Sequence, residues 1–405
     1  KIEFKSKKDS IQNTSFEQKS KIIITCPKFI APYLSKEVTD LGFTITEQWS
    51  TGVAIEGTIN DCIKLNFYIR TGNQVLWLIK DFEAVNADLM YKEALTIEWE
   101  NIIKKDGYLC ITSNVENDTI DNNLFANVKL KDAIVDRMKE KFGIRPDSGP
   151  ERNKLVIHLF WRENQVSVFI DTSGETLSKH NYRKLPGSAP MQESLAAATI
   201  MASGWDGKTD FVNPMCGSGT LAIESALIAT NRVPGLLRSN YAFMHILGYE
   251  KAMYEIENAK LKEQIIKLPG LKIIASDISK RAIETAKTNA EVAGVAHLIY
   301  FQDCDFENTN VPEAEDGAVV MFNPEYGERL GYEAELEATY ARMGDFLKNN
   351  CKGYLGYIFT GNLELAKKIR LKPSRRIEFY NATIDCRLLE YEMYAGTRRV
   401  EKEVV

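Results

Sequence analysis

Five apolar runs in the C-terminal half of this chain, separated by helical stretches, constrain its fold more than any other feature. They are Phe211-Val212, Ile273-Ile274-Ala275, Ile299-Tyr300-Phe301, Gly317-Ala318-Val319-Val320-Met321-Phe322 and Tyr354-Leu355-Gly356-Tyr357-Ile358-Phe359. Short apolar runs alternating with helices predict βαβ units, and hence a doubly wound, mostly parallel α/β sheet from Pro190 onward. Ligands of such sheets collect beyond the carboxyl ends of the strands, so the residues that follow each run are where chemistry is to be sought.

The first run continues as Asn213-Pro214-Met215-Cys216-Gly217-Ser218-Gly219-Thr220 into an apolar helix, Leu221 to Ala229. Glycine permits positive φ and lets a ligand touch the main chain. The helix N-terminus behind it favours a carboxylate such as that of methionine. The loop lacks the G-K-[ST] ending of a phosphate loop, and a plain strand-to-helix turn is the other reading. The second run ends in Ser276-Asp277-Ile278, where a carboxylate can accept from both hydroxyls of a ribose or cap the helix Ser279 to Ala293. The third ends in Asp303-Cys304, where Asp303 either holds an adenine amino group or is solvated.

The fourth run ends in Asn323-Pro324-Glu325-Tyr326-Gly327-Glu328-Arg329. An exocyclic amine on a nucleobase is a poor nucleophile, because its lone pair is delocalised into the ring. The Asn323 side-chain oxygen and the Pro324 carbonyl can accept both of its N–H groups and stabilise positive charge as it develops. The ring of Tyr326 can stack on an extruded base. Asn-Pro also initiates type I turns, the alternative for the tetrapeptide by itself.

Upstream, residues 22–80 read as β and α segments of a small α+β sandwich, with strands at Ile22–Thr25 and Val75–Ile79, a β segment from Phe43 to Glu56 alternating around a turn at Ser50-Thr51-Gly52, and helices at 29–41 and 59–70. Residues 81–171 read as a second unit: helices Met90 to Ile103 and Phe125 to Phe142, a strand at 108–113 and a hairpin at 154–170. Residues 1–21 are polar and read as a tail, and 172–189, rich in Gly, Ser, Lys and Pro, as a linker before the domain 190–405. At 405 residues several domains are expected. No run of about 18 apolar residues exists, which predicts no membrane span. Seven scattered cysteines without a C-x-x-C pair, and four separated histidines, argue against a disulfide framework and a metal site, and point to the cytoplasm. The net charge of −5 gives no support to nucleic-acid binding, so local basic clusters must carry it.

The segments Asn213–Thr220 and Asn323–Arg329 together resemble the THUMP-domain RNA guanine-N2 methyltransferases, in particular those acting on bacterial 23S ribosomal RNA and often described as N6-adenine-specific DNA methylases. The resemblance extends through Asp171–Leu177, Tyr182-Arg183, Pro190–Ala197 and the terminal segment Tyr380–Leu388, spanning roughly residues 22–395. It implies a Rossmann-like class I methyltransferase domain preceded by a ferredoxin-like unit (22–80) and a THUMP RNA-binding domain (81–171). It also implies S-adenosylmethionine as cofactor. The candidate cofactor contacts are Pro190, Glu193, Asn213, Pro214, Cys216, Gly217, Ser218, Gly219, Thr220, Asp277, Ile278, Asp303 and Cys304; the candidate catalytic residues are Asn323, Pro324 and Tyr326. Some members carry a second, C-terminal methyltransferase, which residues 1–405 do not include.

Two departures from the family pattern stand out. Asn213 occupies a position that is usually aspartate, which removes a charge facing the methionine ammonium. Glu325 follows Pro324 where proline is frequent; it either reaches the guanine N1–H edge or faces solvent. For RNA capture the candidates are Arg137, Lys139, Lys141, Arg145, Lys179, Arg183 and Lys184, although such runs also serve as solvated faces. The expected activity is methylation of a guanine N2 amine in ribosomal RNA. The alternatives are an N6-adenine methylase of DNA or RNA, and a non-catalytic RNA-binding protein that has lost cofactor affinity.

Overall fold

A computed structural model describes residues 14–120, 122–184, 191–267, 270–314, 316–326 and 333–394. Eight strands form one sheet in the N-terminal half: β1 (Ser20–Thr25), β2 (Glu47–Trp49), β3 (Gly52–Gly57), β4 (Gln74–Glu83), β5 (Tyr108–Glu116), β6 (Asp147–Ser148), β7 (Leu155–Arg162) and β8 (Gln165–Asp171). Their order is β2-β3-β1-β4-β8-β7-β5-β6. The two units read separately from the sequence are therefore continuous through β4. Its first residues pair with β1, and from Leu76 to Glu83 it pairs antiparallel with β8, with an irregularity between Leu78 and Lys80.

Several sequence expectations change here. The helix predicted over Met90 to Ile103 stops early: it runs Ala87–Leu95 and is followed by a single 3₁₀ turn, Trp99–Asn101. The buried Trp99 indole donates to the Ala94 carbonyl at 2.9 Å, which folds the chain back over the helix end. Nor is the polar tail polar throughout. Residues 1–13 lie outside the described part, but Phe16 is buried and β1 already begins at Ser20.

The linker reading is also corrected. Thr172, Ser173, Leu177, Ser178, His180 and Tyr182 are all buried. Several of their polar groups find partners in the two halves of the molecule: the Val75 amide donates to Ser173 Oγ at 2.9 Å and the Asn66 amide to Thr172 Oγ1 at 2.8 Å, while His180 Nδ1 lies 2.7 Å from Glu224 Oε1. Serine and threonine here are buried because they find partners, not exposed because they are polar. Residues 172–184 thus form a partly buried strap from which Glu175, Lys179, Asn181 and Lys184 project, the rest of the segment lying outside the described residues.

The C-terminal half is a seven-stranded sheet: β9 (Phe211–Pro214), β10 (Ile273–Asp277), β11 (Ile299–Asp303), β12 (Val319–Phe322), β13 (Leu355–Thr360), β14 (Arg375–Asn381) and β15 (Ile384–Glu392). The order is β11-β10-β9-β12-β13-β15-β14; β9 to β13 are parallel and the terminal hairpin is antiparallel. This is the Rossmann-like class I arrangement the sequence implied. Strands β10 and β11 extend to one side of β9, and β12 and β13 to the other, so the strand order reverses at β9, and the crevice opens there. Helices Glu193–Ser203 and Thr220–Ala229 are apolar nearly all round and almost entirely buried. Among the described residues no helix is long and apolar enough to cross a membrane, and no group of three or more His, Cys, Asp or Glu could hold a metal ion.

Candidate active site

The loop after β9 is built on positive φ: Met215 at 55°, Gly217 at 54° and Gly219 at 83°. The two glycines have different reasons. A Cβ on Gly219 would come within 2.8 Å of Ala286 Cβ on the helix Lys280–Ala293, so glycine there permits close packing of two helices. A Cβ on Gly217 would meet nothing within 4 Å, so that position faces open space. The Gly217 amide donates to Asp277 Oδ2 at 2.9 Å, and the Ser279 amide to Asp277 Oδ1 at 2.9 Å. The helix cap itself is Ser279, whose hydroxyl accepts from the Ala282 amide at 3.3 Å. Asp277 is therefore not the cap; it braces the glycine loop.

Asp303 stands in register with Asp277 at the end of the adjacent parallel strand and is exposed. The Cys304 amide donates to the Asp277 carbonyl at 3.1 Å. Between these carboxylates Ile278 is 73% exposed, an apolar side chain at the mouth of the crevice. Burial pushes the Cys216 thiol up, with the Asp277 charge adding to it, so Cys216 packs as a neutral group. Glu193 is buried on the helix Glu193–Ser203, with Arg183 Nη1 3.5 Å from its carboxylate. Pro190 lies outside the described residues.

Arg183 belongs to this site rather than to an RNA surface. Its Nη2 donates to the Met191 carbonyl at 2.6 Å and to Thr220 Oγ1 at 2.9 Å, tying residues 191–193 to the start of the helix behind the glycine loop. Asn289, not singled out in the sequence, does similar work. Fully buried on the helix Lys280–Ala293, it donates to the Ser218 carbonyl at 3.2 Å and accepts from the Lys184 amide at 3.0 Å. Its signal was there to read: an amide on the face otherwise made by Ile283, Ala286 and Ala290.

Strand β12 runs parallel to β9, with Val319 opposite Phe211 and Val320 opposite Val212. Asn213 Nδ2 donates to the Met321 carbonyl at 2.9 Å, so the two strand ends are joined at the point where each loop departs. This puts Asn323-Pro324-Glu325-Tyr326 beside the glycine loop. Both amide oxygens at this junction, Asn213 Oδ1 and Asn323 Oδ1, are buried without a hydrogen-bond partner. An unpaired buried acceptor costs about 1–3 kcal/mol, and two on neighbouring strand ends mark a place built for donors. Pro324 is buried and Glu325 exposed. The Tyr326 hydroxyl accepts from Asn381 Nδ2 at 2.8 Å, its ring sits edge-on to Phe359 with centroids 6.3 Å apart, and burial pushes its phenol up. A Cβ on Gly361 would come within 2.9 Å of that ring, so the tyrosine is fixed against the sheet end rather than swinging freely.

A model of the RMKL-like methyltransferase domain matches residues 180–390. The chain belongs to this methyltransferase family. Two further models match upstream, a RlmL ferredoxin-like domain over residues 21–76 and a THUMP domain over 84–171. Among RMKL-like relatives, the ribosomal RNA large subunit methyltransferase K/L of Syntrophotalea carbinolica is 33% identical over 92% of this chain and 53% of its own length. That of Pseudomonas aeruginosa is 32% identical over 91% and 52%. The chain spans about half the length of the curated relatives it matches. Among solved structures, SMU.472, crystallised with SAH, superposes with a TM-score of 0.83 at 26% identity, covering 94% of this chain and all of that one. A Listeria monocytogenes protein described as a predicted N6-adenine-specific DNA methylase gives a TM-score of 0.83 at 27% identity, covering 92% and 96%.

Of the proposed RNA contacts, Arg137 is committed elsewhere in this RMKL-like chain: it makes a two-point ion pair with Glu100, with contacts of 2.6 and 2.9 Å, and donates to the Leu95 carbonyl. Lys141 lies 3.7 Å from the same carboxylate. Lys139, Lys141, Arg145, Lys179 and Lys184 are exposed.

Proposed function

We propose that this chain transfers a methyl group from S-adenosylmethionine to the N2 amine of a guanine in RNA, with 23S ribosomal RNA as substrate and the cytoplasm as its compartment. The observation that carries the reading is the buried, unpartnered Asn323 oxygen beside a glycine loop with open space above it. The residues fit the cofactor. Asn213 Oδ1 is a free acceptor for an ammonium, the N-terminus of the helix beginning at Thr220 has no side-chain cap and suits a carboxylate, and Asp277 and Asp303 are acceptors for a nucleoside. Glu193, Pro214, Cys216, Ser218, Ile278 and Cys304 complete the cradle. When bound, S-adenosylmethionine supplies an electrophilic methyl group.

The protein's part is to present a nucleophile. Asn323 Oδ1 and the Pro324 carbonyl accept the two N–H groups of the target amine, which turns its lone pair toward the cofactor and stabilises the cation that develops. The Tyr326 ring, held by Asn381, gives the extruded base a fixed face. No strong base is needed: the amine loses its proton to solvent after attack. An amide at position 213 still offers its oxygen, which argues against the non-catalytic alternative. An N6-adenine methylase would use the same acceptors; the ribosomal RNA methyltransferase K/L relatives and the THUMP match support RNA over DNA, and the resemblance to guanine-N2 methyltransferases supports guanine as the base. The test is single-turnover kinetics of Asn323→Ala alongside calorimetry with the cofactor. The chemical rate should fall about 10²–10³-fold, as when one preorganised polar group is removed, with cofactor affinity unchanged. Equal losses in both would mean local unfolding and refute the assignment.

A further inference from the structure

A hollow of about 380 Å³ lies outside this crevice, between the ferredoxin-like unit and the terminal hairpin. Phe29, Tyr33 and Trp49 line one side of it and Ile377 and Glu378 the other. Three observations suggest more than a packing gap. Phe29 has φ +70°, a conformation that a bulky residue adopts at a cost of about 1–3 kcal/mol. That geometry lays its ring flat on Tyr380, with centroids 5.5 Å apart and planes within 6°. The Lys28 ammonium stands 5.1 and 5.3 Å from these two centroids, adding a cation to a stacked aromatic platform.

Trp49 is the second observation. Of the five tryptophans it alone is exposed, at 36%, whereas Trp77, Trp99, Trp161 and Trp205 are buried. Its indole lies over Gly52, where a Cβ would come within 3.1 Å of Cζ2, so the ring is supported on the backbone of the adjacent strand. An ordered, supported and exposed indole is the usual form of a stacking surface for a flat ring.

The third is position. Tyr33 stacks on Phe379 at 5.7 Å, Phe379 meets Phe359 at 6.2 Å, and Phe359 meets Tyr326 at 6.3 Å. Asn381, the residue after Tyr380, holds the Tyr326 hydroxyl. The hollow and the Tyr326 ring thus both rest on the hairpin β14–β15, joined by this chain of ring contacts. We infer that the hollow binds a nucleobase flanking the target in the RNA strand, stacked against Trp49 and edged by the Gln48 amide and the Glu378 carboxylate. The inference rests on the reading of the chain as an RNA methyltransferase. It assigns the ferredoxin-like unit a part in substrate selection, through stacking rather than phosphate contact, since Glu378 is itself paired with Arg387 at 3.3 Å.

The test uses the full chain and a short oligouridylate carrying one guanosine. Because the other tryptophans are buried, acrylamide quenching of the intrinsic fluorescence reports on Trp49. Saturating oligonucleotide should shield it, and Trp49→Leu should weaken binding, followed by fluorescence anisotropy, about tenfold, one lost base stack. SAH affinity and melting temperature should stay unchanged. Oligonucleotide binding that leaves acrylamide access and the Trp49→Leu affinity unaltered would overturn the inference while leaving the methyltransferase reading intact. A wild-type chain that neither binds nor methylates RNA would remove both, and would do so before any substitution is made.

Discussion

At the scale of single residues, the two glycines of the cofactor loop separate packing from binding. Gly219→Ala combines a φ of +83° with a 2.8 Å clash against Ala286, and should cost about 2–4 kcal/mol of stability. Gly217→Ala carries the backbone penalty alone, about 1 kcal/mol, because the added methyl meets no protein atom. It occupies the space proposed for the ligand, however, and should reduce S-adenosylmethionine affinity by more than its stability loss accounts for. Thermal melts paired with calorimetry check both, and the reverse ranking would mean the loop faces the other way. Asn213, Asp277, Asn323 and Tyr326 were legible in the sequence because each ends an apolar strand. Asn289 could have been picked out as an amide on an apolar helix face, but its partners, like those of Asn381 and Arg183, could not, since they are set by tertiary contacts between residues as much as 105 positions apart.

At the scale of elements, the strap 172–184 is the largest departure from the sequence reading. Its composition suggested exposure, yet His180 is fully buried, with Nδ1 2.7 Å from Glu224 Oε1 and Nε2 2.9 Å from the Arg70 carbonyl. Burial alone would lower the imidazole's affinity for its proton, but the Glu224 carboxylate outweighs it and the net shift is upward from the ordinary 6.5. A folded-state value above the unfolded one means that the stabilisation is complete below about pH 6.5 and is lost as pH rises through the folded value. The melting-temperature gap between wild type and His180→Gln should therefore be widest in mildly acidic buffer and narrow toward alkaline pH. A gap that grows with pH would contradict the ion pair. The strap was misread because polar composition gives no hint of which partners a folded neighbour will offer. The helix over Met90–Ile103 was overextended for a related reason, as the Trp99 indole takes the Ala94 carbonyl and ends it.

At the scale of the whole molecule, one continuous eight-stranded sheet joins the two small N-terminal units, and the strap bonds to that sheet side through Val75 and Asn66 and to the methyltransferase domain through Glu224 and Thr220. The five parallel strands of the second sheet were legible as apolar runs, β9, β10, β12 and β13 because they are almost wholly buried, while the exposed residues of β14 gave no such pattern. The continuity of the first sheet was not legible, because β4 reads as a single short apolar run, whereas its pairing with β8 runs from Leu76 on through Lys80 to Glu83. With a net charge of −5, the proposed RNA binding would rest on local cations, with Lys139, Lys141, Arg145, Lys179 and Lys184 as the exposed candidates, and its affinity should fall with ionic strength in proportion to the phosphates they neutralise. Binding to structured RNA that ignores added salt would remove these residues from the interface. The most direct test of the central claim is mass spectrometry of nucleosides from unmodified 23S ribosomal RNA incubated with the protein and S-adenosylmethionine. Wild type should yield N2-methylguanosine, and Asn323→Ala about 10²–10³-fold less over the same initial period; N6-methyladenosine, or no methylated nucleoside from the wild type, would contradict it.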